Sequence, residues 1–361
     1  MARIIYSFNK HGFEEAYWRA EIGGASDGRH AFIPFNHGNY LSPSRYVRAQ
    51  LLDNLYYNRD AGLLRMYSAL KALIIQEKAD ALIVDNCFPY HPEFLLELEL
   101  YKVIRTSDGP MTAYDRDFAF LHAYDHVLFH SPAYSQDMDM EGKLRYCGAK
   151  RIDFLPLGSF DAMCDRTKTD ANILELDRDI DVIFIGALYP NKMPLLAKVK
   201  KTLGKRLHLY GMASLKKNIY FNVKYGFPGW VRPVPFSQYV ALYQRSKIGI
   251  NIHNRGDYTV GSFRLFDLPA NGVMQISDGG KYLERFYSAG NEIVAYSGGD
   301  DLIEKVEYYL DHEVARRTIT LNGFKRVNRD YRIAALLKRA GDVIQLEIMR
   351  SGTHKFHGGD C

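Results

Sequence analysis

The sequence predicts an α/β protein with two parallel sheets, and three observations lead to this fold class. Short apolar runs, such as residues 2–8, 79–85 and 181–185, alternate with segments of helical periodicity, which is the pattern of βα units. Many of these runs end in loops that contain Gly, Asn, Ser or His. With 361 residues the chain is long enough for two domains, each with its own hydrophobic core.

The first half of the chain reads as one set of βα units. Strands are predicted at residues 2–8, 30–35, 79–85, 102–105, 126–130 and 152–155. Helices are predicted at residues 14–20, 45–76 (broken near 60–62), 92–100, 115–123 and 135–146. This rhythm predicts an N-terminal Rossmann-like domain over residues 1–160.

Loops after the strands of this half hold candidate functional residues, because open α/β sheets bind ligands at the carboxyl ends of their strands. The candidates for ligand binding are Lys10, Gly12, His37, Tyr40 and His91. His11 and Asp108 are candidate catalytic residues, and Asp108 could orient or deprotonate a hydroxyl group. A solvated loop explains residues 10–12 as well, and a turn or N-cap role explains Asp108 as well.

The second half begins after a polar stretch, residues 159–177, which is predicted to be a linker. Strands are predicted at residues 181–185, 206–210, 248–252, 273–277 and 292–296. Helices are predicted at residues 193–203, 236–244, 263–270, 300–310 and within 313–350. The second domain is predicted over residues 178–330, and residues 331–361 form a C-terminal helix and tail.

Residues 260–280 are the most informative stretch. Gly261, Ser262 and Phe263 open a short helix, where free backbone N–H groups and the positive end of the dipole can bind phosphate. Arg264 adds a positive charge, and Asp267 lies on the same face at i+3 spacing. This set suits a nucleotide sugar, although a capped helix with an Arg264–Asp267 surface pair would give the same spacing.

The stretch resembles the donor-binding signature of GT-B glycosyltransferases, particularly the CgeB-like branch near glycosyltransferase family 4. That branch has the pattern S-x-R-x-F-E-x-x-A-x-G, and the matching residues here are Ser262, Arg264, Phe266, Asp267, Ala270 and Gly272. Asp267 stands where the branch usually has Glu. The family 4 signature has another Glu eight positions earlier, where this chain has Thr259.

The resemblance implies two Rossmann-like domains that face a cleft, with a terminal helix that crosses back to the first domain. It implies transfer of a sugar from a nucleotide-diphosphate sugar, with UDP as the expected nucleotide, to a hydroxyl acceptor. The acceptor would be bound by residues of the first domain, namely Lys10, Gly12, His37, Tyr40 and His91. Retention of anomeric configuration and independence from metal are expected. The diphosphate would meet Lys192, Arg264 and the amides of residues 261–263; Asp267 would hold the ribose. The segment at Val231 and Arg232 would back the base.

Composition narrows the partners only slightly. The chain has 47 Lys and Arg against 42 Asp and Glu, for a net charge of +5, which does not by itself indicate nucleic acid. The basic C-terminal helices still leave a modified DNA base open among the acceptors. We expect no transmembrane segment, because no apolar run is long enough to span a membrane. We also expect a cytoplasmic protein with reduced cysteines, because the four cysteines show no CxxC or other metal-like spacing.

Two further functions remain open from the sequence. A nucleotide-sugar 2-epimerase would share the diphosphate site, but it needs acid and base groups around the donor sugar, and Asp108 is the only ready candidate. A non-catalytic protein that binds nucleotide sugars would also carry the donor motif. No metal site or redox cofactor is predicted, because the D-x-D pairs lie outside strand ends and no G-x-G-x-x-G follows the first strand.

Overall fold

The computed structural model describes residues 1–41, 60–86, 89–106, 118–131, 139–253, 261–279 and 281–351. The chain divides into two compact units. The first unit contains residues 1–156 together with the segment from residue 333 onward, and the second contains residues 157–332. Each unit is built around one parallel sheet.

The strands lie close to their predicted positions. The sheet of the first unit contains β1 (Ala2–Phe8), β2 (His30–Asn36), β3 (Ala81–Asp85), β4 (Tyr101–Thr106), β5 (His126–Phe129) and β6 (Ile152–Phe154). The sheet of the second unit contains β7 (Ile180–Ile185), β8 (Leu207–Tyr210), β9 (Ser246–Asn251), β10 (Met274–Asp278) and β11 (Val294–Tyr296). The apolar runs predicted these strands because most strand residues are buried, as is usual in parallel sheets.

In the described residues, helices lie between most pairs of consecutive strands, and three helices follow β11. The helices are α1 (Phe13–Gly24), α2 (Ala61–Glu77), α3 (Pro92–Leu96), α4 (Met140–Tyr146), α5 (Met193–Leu203), α6 (Leu215–Tyr225), α7 (Tyr239–Gln244), α8 (Arg264–Ala270), α9 (Lys281–Glu284), α10 (Gly299–Asp311), α11 (Glu313–Asp330) and α12 (Ile333–Ser351). Parts of the helices predicted at residues 45–76, 115–123 and 135–146 lie outside the described residues.

All strand pairs within each sheet are parallel. The strand order is β2-β1-β3-β4-β5-β6 in the first unit and β11-β10-β9-β7-β8 in the second. In the first unit, Ile4 of β1 pairs with Ala81 of β3; in the second, Ser277 of β10 pairs with Asn251 of β9. The α/β fold class with two parallel sheets is therefore confirmed.

Helix α6 was not predicted. Its start and end nevertheless carry ordinary sequence signals: the Ser214 side chain accepts from the backbone N–H of Lys217, and Gly226 ends the helix at a φ of 58°. The helix was missed because a mostly exposed segment rich in Lys, Asn and Tyr has only weak apolar periodicity.

The stretch predicted as a linker, residues 159–177, packs within the second unit. Phe160, Met163 and Ile173 are buried, and the carbonyl of Met163 accepts from the side-chain amide of Asn271 at 2.7 Å. A Cβ on Gly272 would lie 2.3 Å from Cγ1 of Ile173. The stretch is therefore not a linker, and it was predicted as one because its few buried residues stand among mostly polar ones.

The last helix belongs to the first unit. Helix α12 contacts α1, β1 and β2, and Asp342 pairs with Arg29 at 2.7 Å. A Cβ on Gly341 would lie 3.0 Å from the ring of His30, so this glycine permits close packing of the helix. Within the described part of the chain, no helix is long and apolar enough to cross a membrane.

Candidate functional site

The second sheet has a topological switch point between β7 and β9. Strand β7 pairs with β8 on one side and with β9 on the other, so the strand order reverses there. In open parallel sheets such a point leaves a crevice at the carboxyl ends of the two strands, where ligands bind. Polar side chains from four segments of the second unit meet at this place.

Arg264, the first residue of α8, spans the switch point. Its Nε donates to the carbonyl oxygen of Ile185 at 2.7 Å, and its Nη1 donates to Oδ1 of Asn251 at 2.8 Å. The guanidinium lies 4.8 Å from the centroid of the Phe184 ring. A Cβ on Gly186 would lie 2.0 Å from Nη2. Arg264 is therefore held in one position, and glycine at residue 186 gives it room.

The positive charge of Arg264 has no direct counter-charge in the described part of the chain. Both of its acceptors are neutral. Asp278 and Asp267 act on it only from a greater distance. The surface ion pair of Arg264 with Asp267, one of the two interpretations of the i+3 spacing, is therefore wrong. Burial lowers the pKa of Arg264, but an arginine stays charged at neutral pH.

Lys192 lies in the loop between β7 and α5, close to Arg264. Its side chain is buried at 3% exposure, and its ammonium makes no hydrogen bond or ion pair with the described residues. Burial, and next the charge of Arg264, lower the pKa of Lys192 to about 7, while Asp278 opposes this shift. The ring of Tyr189 has its centroid 5.6 Å from Nζ. Lys192 is therefore not a solvated lysine at the start of a helix.

Asn251 connects Arg264 to the next strand. It is fully buried at the end of β9. Its Oδ1 accepts from Arg264 and, at 3.5 Å, from the hydroxyl of Ser262. Its Nδ2 donates to Oγ of Ser277 at 3.2 Å and lies 3.4 Å from Nε2 of His253.

His253, which is buried, and Asp278, which is half-buried, form a pair at the carboxyl ends of β9 and β10. Asp278 accepts the backbone N–H of His253 through Oδ2 at 2.8 Å, and its Oδ1 lies 2.6 Å from Nδ1 of the imidazole. The hydroxyl of Ser277 donates to the carbonyl of Asp278 at 3.1 Å. These contacts fix the imidazole ring beside Asn251.

Asp267 is buried on the adjacent turn of α8, at 5% exposure. Its Oδ1 accepts from the hydroxyl of Ser159 at 2.9 Å, and its Oδ2 has no hydrogen-bond partner among the described residues. Burial raises the pKa of Asp267 to about 8, although the Ser159 bond and the Arg264 charge act in the opposite direction. The carboxyl group is therefore largely protonated at neutral pH.

The other predicted donor residues lie around this cluster. Gly261, Ser262 and Phe263 directly precede α8. Val231 is buried, and its N–H and carbonyl both bond the side chain of Asn218, at 2.8 and 3.1 Å. The Val231 N–H is thus already occupied in this structure. Arg232 is exposed, and its carbonyl accepts from the N–H of Gly211 at 3.1 Å.

The predicted acceptor loop after β1 joins the end of β2. The side chain of Asn36 accepts from the Lys10 N–H at 3.3 Å and donates to the Lys10 carbonyl at 2.7 Å. The Lys10 ammonium lies 3.4 Å from Glu14. His11 and Gly12 are exposed, and Gly12 has a φ of 56° just before α1. Lys10, His11 and Gly12 thus share one loop at the carboxyl edge of the first sheet.

The remaining acceptor candidates have structural contacts of their own. His37 is fully buried; its Nδ1 lies 2.9 Å from the Ser7 hydroxyl, and burial lowers its pKa to about 3. The ring of Tyr40 stacks on Phe35 with centroids 5.6 Å apart. Nδ1 of His91 accepts the first-turn N–H of Glu93 at 3.2 Å and so caps α3. Burial keeps the His37 imidazole neutral at physiological pH.

Asp108, the other candidate catalytic residue, lies outside the described residues. Within the described ranges, no group of three His, Cys, Asp or Glu side chains is arranged to hold a metal ion.

Comparison with known proteins agrees with this architecture. Residues 193–340 match a protein-family model described as glycosyl transferase-like. Sucrose-phosphate synthase from Thermosynechococcus elongatus superposes with a TM-score of 0.64 at 12% identity, over 97% of this chain and 100% of that chain. HepE from Anabaena, solved with UDP-glucose, superposes with a TM-score of 0.62 at 10% identity, over 96% of this chain and 100% of that chain. This chain has the GT-B fold.

The same GT-B fold is found in a candidate UDP-N-acetylglucosamine 2-epimerase from Listeria monocytogenes. Its TM-score is 0.58 at 11% identity, over 96% of this chain and 97% of that chain. A sequence search of curated proteins gave no match. The predicted resemblance to GT-B glycosyltransferases is confirmed; the narrower CgeB-like assignment stays a prediction.

Several residues of the site were missed from the sequence. Asn251, Ser277 and Asp278 end two strands that sequence analysis located, so the rule that ligands bind at strand ends could have found them. Ser159 lies 108 positions from Asp267 in the chain. No sequence signal joins residues so far apart.

Proposed function

We propose that this protein is a glycosyltransferase that moves a sugar from a nucleotide-diphosphate sugar to an acceptor hydroxyl. One observation carries the proposal: Lys192 and Arg264 converge at the switch point of the second sheet, and neither has a carboxylate partner among the described residues. Cations removed from water need a counter-charge. A diphosphate at this crevice would supply it.

The family match supports the same reading. The matched range begins at residue 193 and includes α8 with Arg264 and Asp267. Arg264 is held by two hydrogen bonds and an aromatic ring, so its orientation does not have to be established when the ligand arrives. Such preorganisation is the basis of electrostatic stabilisation in active sites.

In the proposed reaction the bond between the anomeric carbon and the diphosphate oxygen breaks, and the acceptor oxygen attacks that carbon from the face that the diphosphate leaves, as retention of configuration requires. Negative charge grows on the leaving diphosphate, and Lys192 and Arg264 stabilise it. The acceptor proton passes to a base, for which Asp108 and His11 are the candidates. Two cations aimed at the diphosphate can provide the charge stabilisation that a divalent metal provides in other sites, and we propose a metal-independent, retaining transfer.

Asp267 is proposed to hold the ribose. Its Oδ1 is bonded to Ser159, which leaves Oδ2 for a ribose hydroxyl. Burial raises the pKa of Asp267, so a neutral carboxyl group can donate a hydrogen bond as well as accept one. UDP is the expected nucleotide, with Gly261, Ser262 and Phe263 beside the diphosphate and Val231 and Arg232 near the base.

A thermal-shift panel of nucleotides and nucleotide sugars, with and without Mg²⁺, tests the donor site. A ligand at 100 times its dissociation constant stabilises the folded state by about 2.7 kcal/mol. We expect one nucleoside diphosphate to raise the melting temperature of the wild type, and to do so less for Lys192→Ala and Asp267→Ala. If no nucleotide stabilises the wild type, the donor site is wrong.

A 2-epimerase is the second candidate, because the GT-B fold also occurs in the candidate epimerase from Listeria monocytogenes. Incubation with the donor alone separates the two functions. An epimerase converts the sugar without an acceptor, whereas a transferase leaves the sugar unchanged apart from slow hydrolysis. A protein that binds the donor and gives no product in either assay would be a non-catalytic binding protein.

A further inference from the structure

We propose that His253, oriented by Asp278, is a positioning residue that fixes Arg264 for diphosphate binding by acting through Asn251. The inference rests on the proposed donor site and adds the residues that keep it in shape. Three steps connect the imidazole to the guanidinium.

The first step is the tautomer of His253. The Asp278 carboxylate can only accept hydrogen bonds, and its Oδ1 lies 2.6 Å from Nδ1 of the imidazole. Nδ1 therefore carries a proton. Asp278 also accepts the backbone N–H of His253 at 2.8 Å, so the ring and its backbone are held by one carboxylate. In the neutral ring, Nε2 is left as an acceptor.

The second step is the orientation of the Asn251 amide. With Nε2 of His253 as an acceptor, the group of Asn251 that faces it at 3.4 Å must be the NH₂ group. The same NH₂ group donates to Ser277 at 3.2 Å. These two acceptors leave the carbonyl end, Oδ1, facing the other way.

The third step is the contact between Asn251 and Arg264. Oδ1 accepts from Nη1 of Arg264 at 2.8 Å. If the Asn251 amide were reversed, its NH₂ group would face the guanidinium, and two donors would oppose each other. The carbonyl of Ile185 would then be the only acceptor left among the present contacts of Arg264. The imidazole thus decides whether the guanidinium keeps its second hydrogen bond.

Two substitutions at His253 separate the contact with Asp278 from the contact with Asn251. In His253→Asn, the shorter amide can still donate to Asp278 but has no atom at the place of Nε2. In His253→Gln, the longer side chain can place an oxygen near Nε2 and accept from Asn251. The positioning role therefore predicts a loss in the Asn variant and recovery in the Gln variant.

Binding of UDP and of uridine is measured by calorimetry for each variant. Hydrogen bonds to charged groups contribute enough that we expect His253→Asn to weaken UDP binding by roughly tenfold to a hundredfold. Uridine carries no phosphate, so its affinity should change little. His208→Asn is the matched control, because His208 lies on β8 and shares none of the contacts described above. It should leave both affinities unchanged.

Two independent measurements keep the inference testable if His253→Asn folds poorly. Nitrogen NMR of the wild-type histidines should show His253 as the Nδ1–H tautomer, and observation of the Nε2–H tautomer would overturn the proposal. Asn251→Asp places a carboxylate on Arg264 and neutralises its charge. This variant should stay folded and lose UDP binding by more than the His253 variants.

The outcomes also distinguish this inference from the donor site itself. If the wild type binds no UDP, the donor site and the positioning role both fail. If the wild type binds UDP, but His253→Asn binds UDP as tightly or loses UDP and uridine binding equally, only the positioning role fails.

Discussion

Lys192 provides the sharpest prediction, because its charge should change when a diphosphate binds. In the free protein, burial and the neighbouring Arg264 lower the pKa of Lys192 to about 7. A bound diphosphate places negative charge beside the ammonium and returns the pKa toward the ordinary value of 10.5. Above pH 7, binding should therefore be accompanied by uptake of a proton at Lys192.

The size of the effect follows from the two pKa values. At pH 8 a group with a pKa of about 7 is roughly one-tenth protonated, so binding should take up about 0.9 proton. The affinity for UDP should fall as pH rises, because the free amine must first be protonated. Linkage between the two values gives a decrease of about fiftyfold from pH 7 to pH 9.

The proton count can be measured directly. UDP binding is followed by titration calorimetry at pH 8 in two buffers with different ionisation enthalpies, and the difference in heat gives the number of protons taken up. The terminal phosphate is already deprotonated at this pH. Lys192→Arg is the matched control, because a guanidinium keeps its charge across this range. It should bind UDP without proton uptake and with little change in affinity between pH 7 and pH 9.

Two results would refute this reasoning. UDP binding to the wild type without proton uptake at pH 8 would mean that Lys192 is already charged in the free protein. Equal proton uptake by the wild type and Lys192→Arg would show that another group titrates.

Three further predictions concern the fold around the site. The pKa of Asp267 is about 8 in the folded protein, against an ordinary value of 3.8. Its contribution to stability is therefore complete below pH 4 and is lost as pH rises toward 8, by at most about 1.4 kcal/mol per pH unit. Asp267→Asn should remove this pH dependence of the free energy of unfolding, as measured by denaturation at pH 5 and pH 8. Gly186→Ala should abolish UDP binding in calorimetry, because its Cβ would lie 2.0 Å from Nη2 of Arg264. The control Gly24→Ala, whose Cβ meets no atom within 4 Å, should not affect UDP binding. UDP binding by Gly186→Ala would contradict the proposed role of Gly186 in giving Arg264 room. Arg178→Met should lower the free energy of unfolding by about 2–4 kcal/mol, because three carbonyls that accept from this guanidinium lose their donor. A loss below 1 kcal/mol would show that water takes the place of the guanidinium as the donor.

The elements could be predicted because local sequence carries most of their information. Strand β7 reads as an unbroken apolar run after its first two residues, and in the structure it is buried on both faces. Helix α5 begins at Met193 and ends at Leu203, as its periodicity indicated. Helix α6 was missed because its apolar stripe is narrow, so that only its capping residues, Ser214 and Gly226, indicate a helix in the sequence.

The proposed donor motif could be singled out in the sequence because its key residues are close in the chain. Arg264 and Asp267 are three positions apart, and Gly272, with a φ of 65°, ends the turn that leads into β10. The partners that hold these residues are distant: Ile185 lies 79 positions from Arg264, and Ser159 lies 108 positions from Asp267. Only the packing of the sheet brings them together.

The sequence by itself determined the two parallel sheets, the position of the proposed donor motif and the identity of its charged residues, because hydrophobic periodicity and short motifs are local properties. The tertiary structure decided the state of those charges. The spacing of Arg264 and Asp267 allowed a surface pair, but in the structure Arg264 bonds to neutral acceptors and Asp267 bonds to a serine. Lys192 became a buried amine with a pKa of about 7. The free energy of a charge depends on water and neighbours, which only the folded chain assembles.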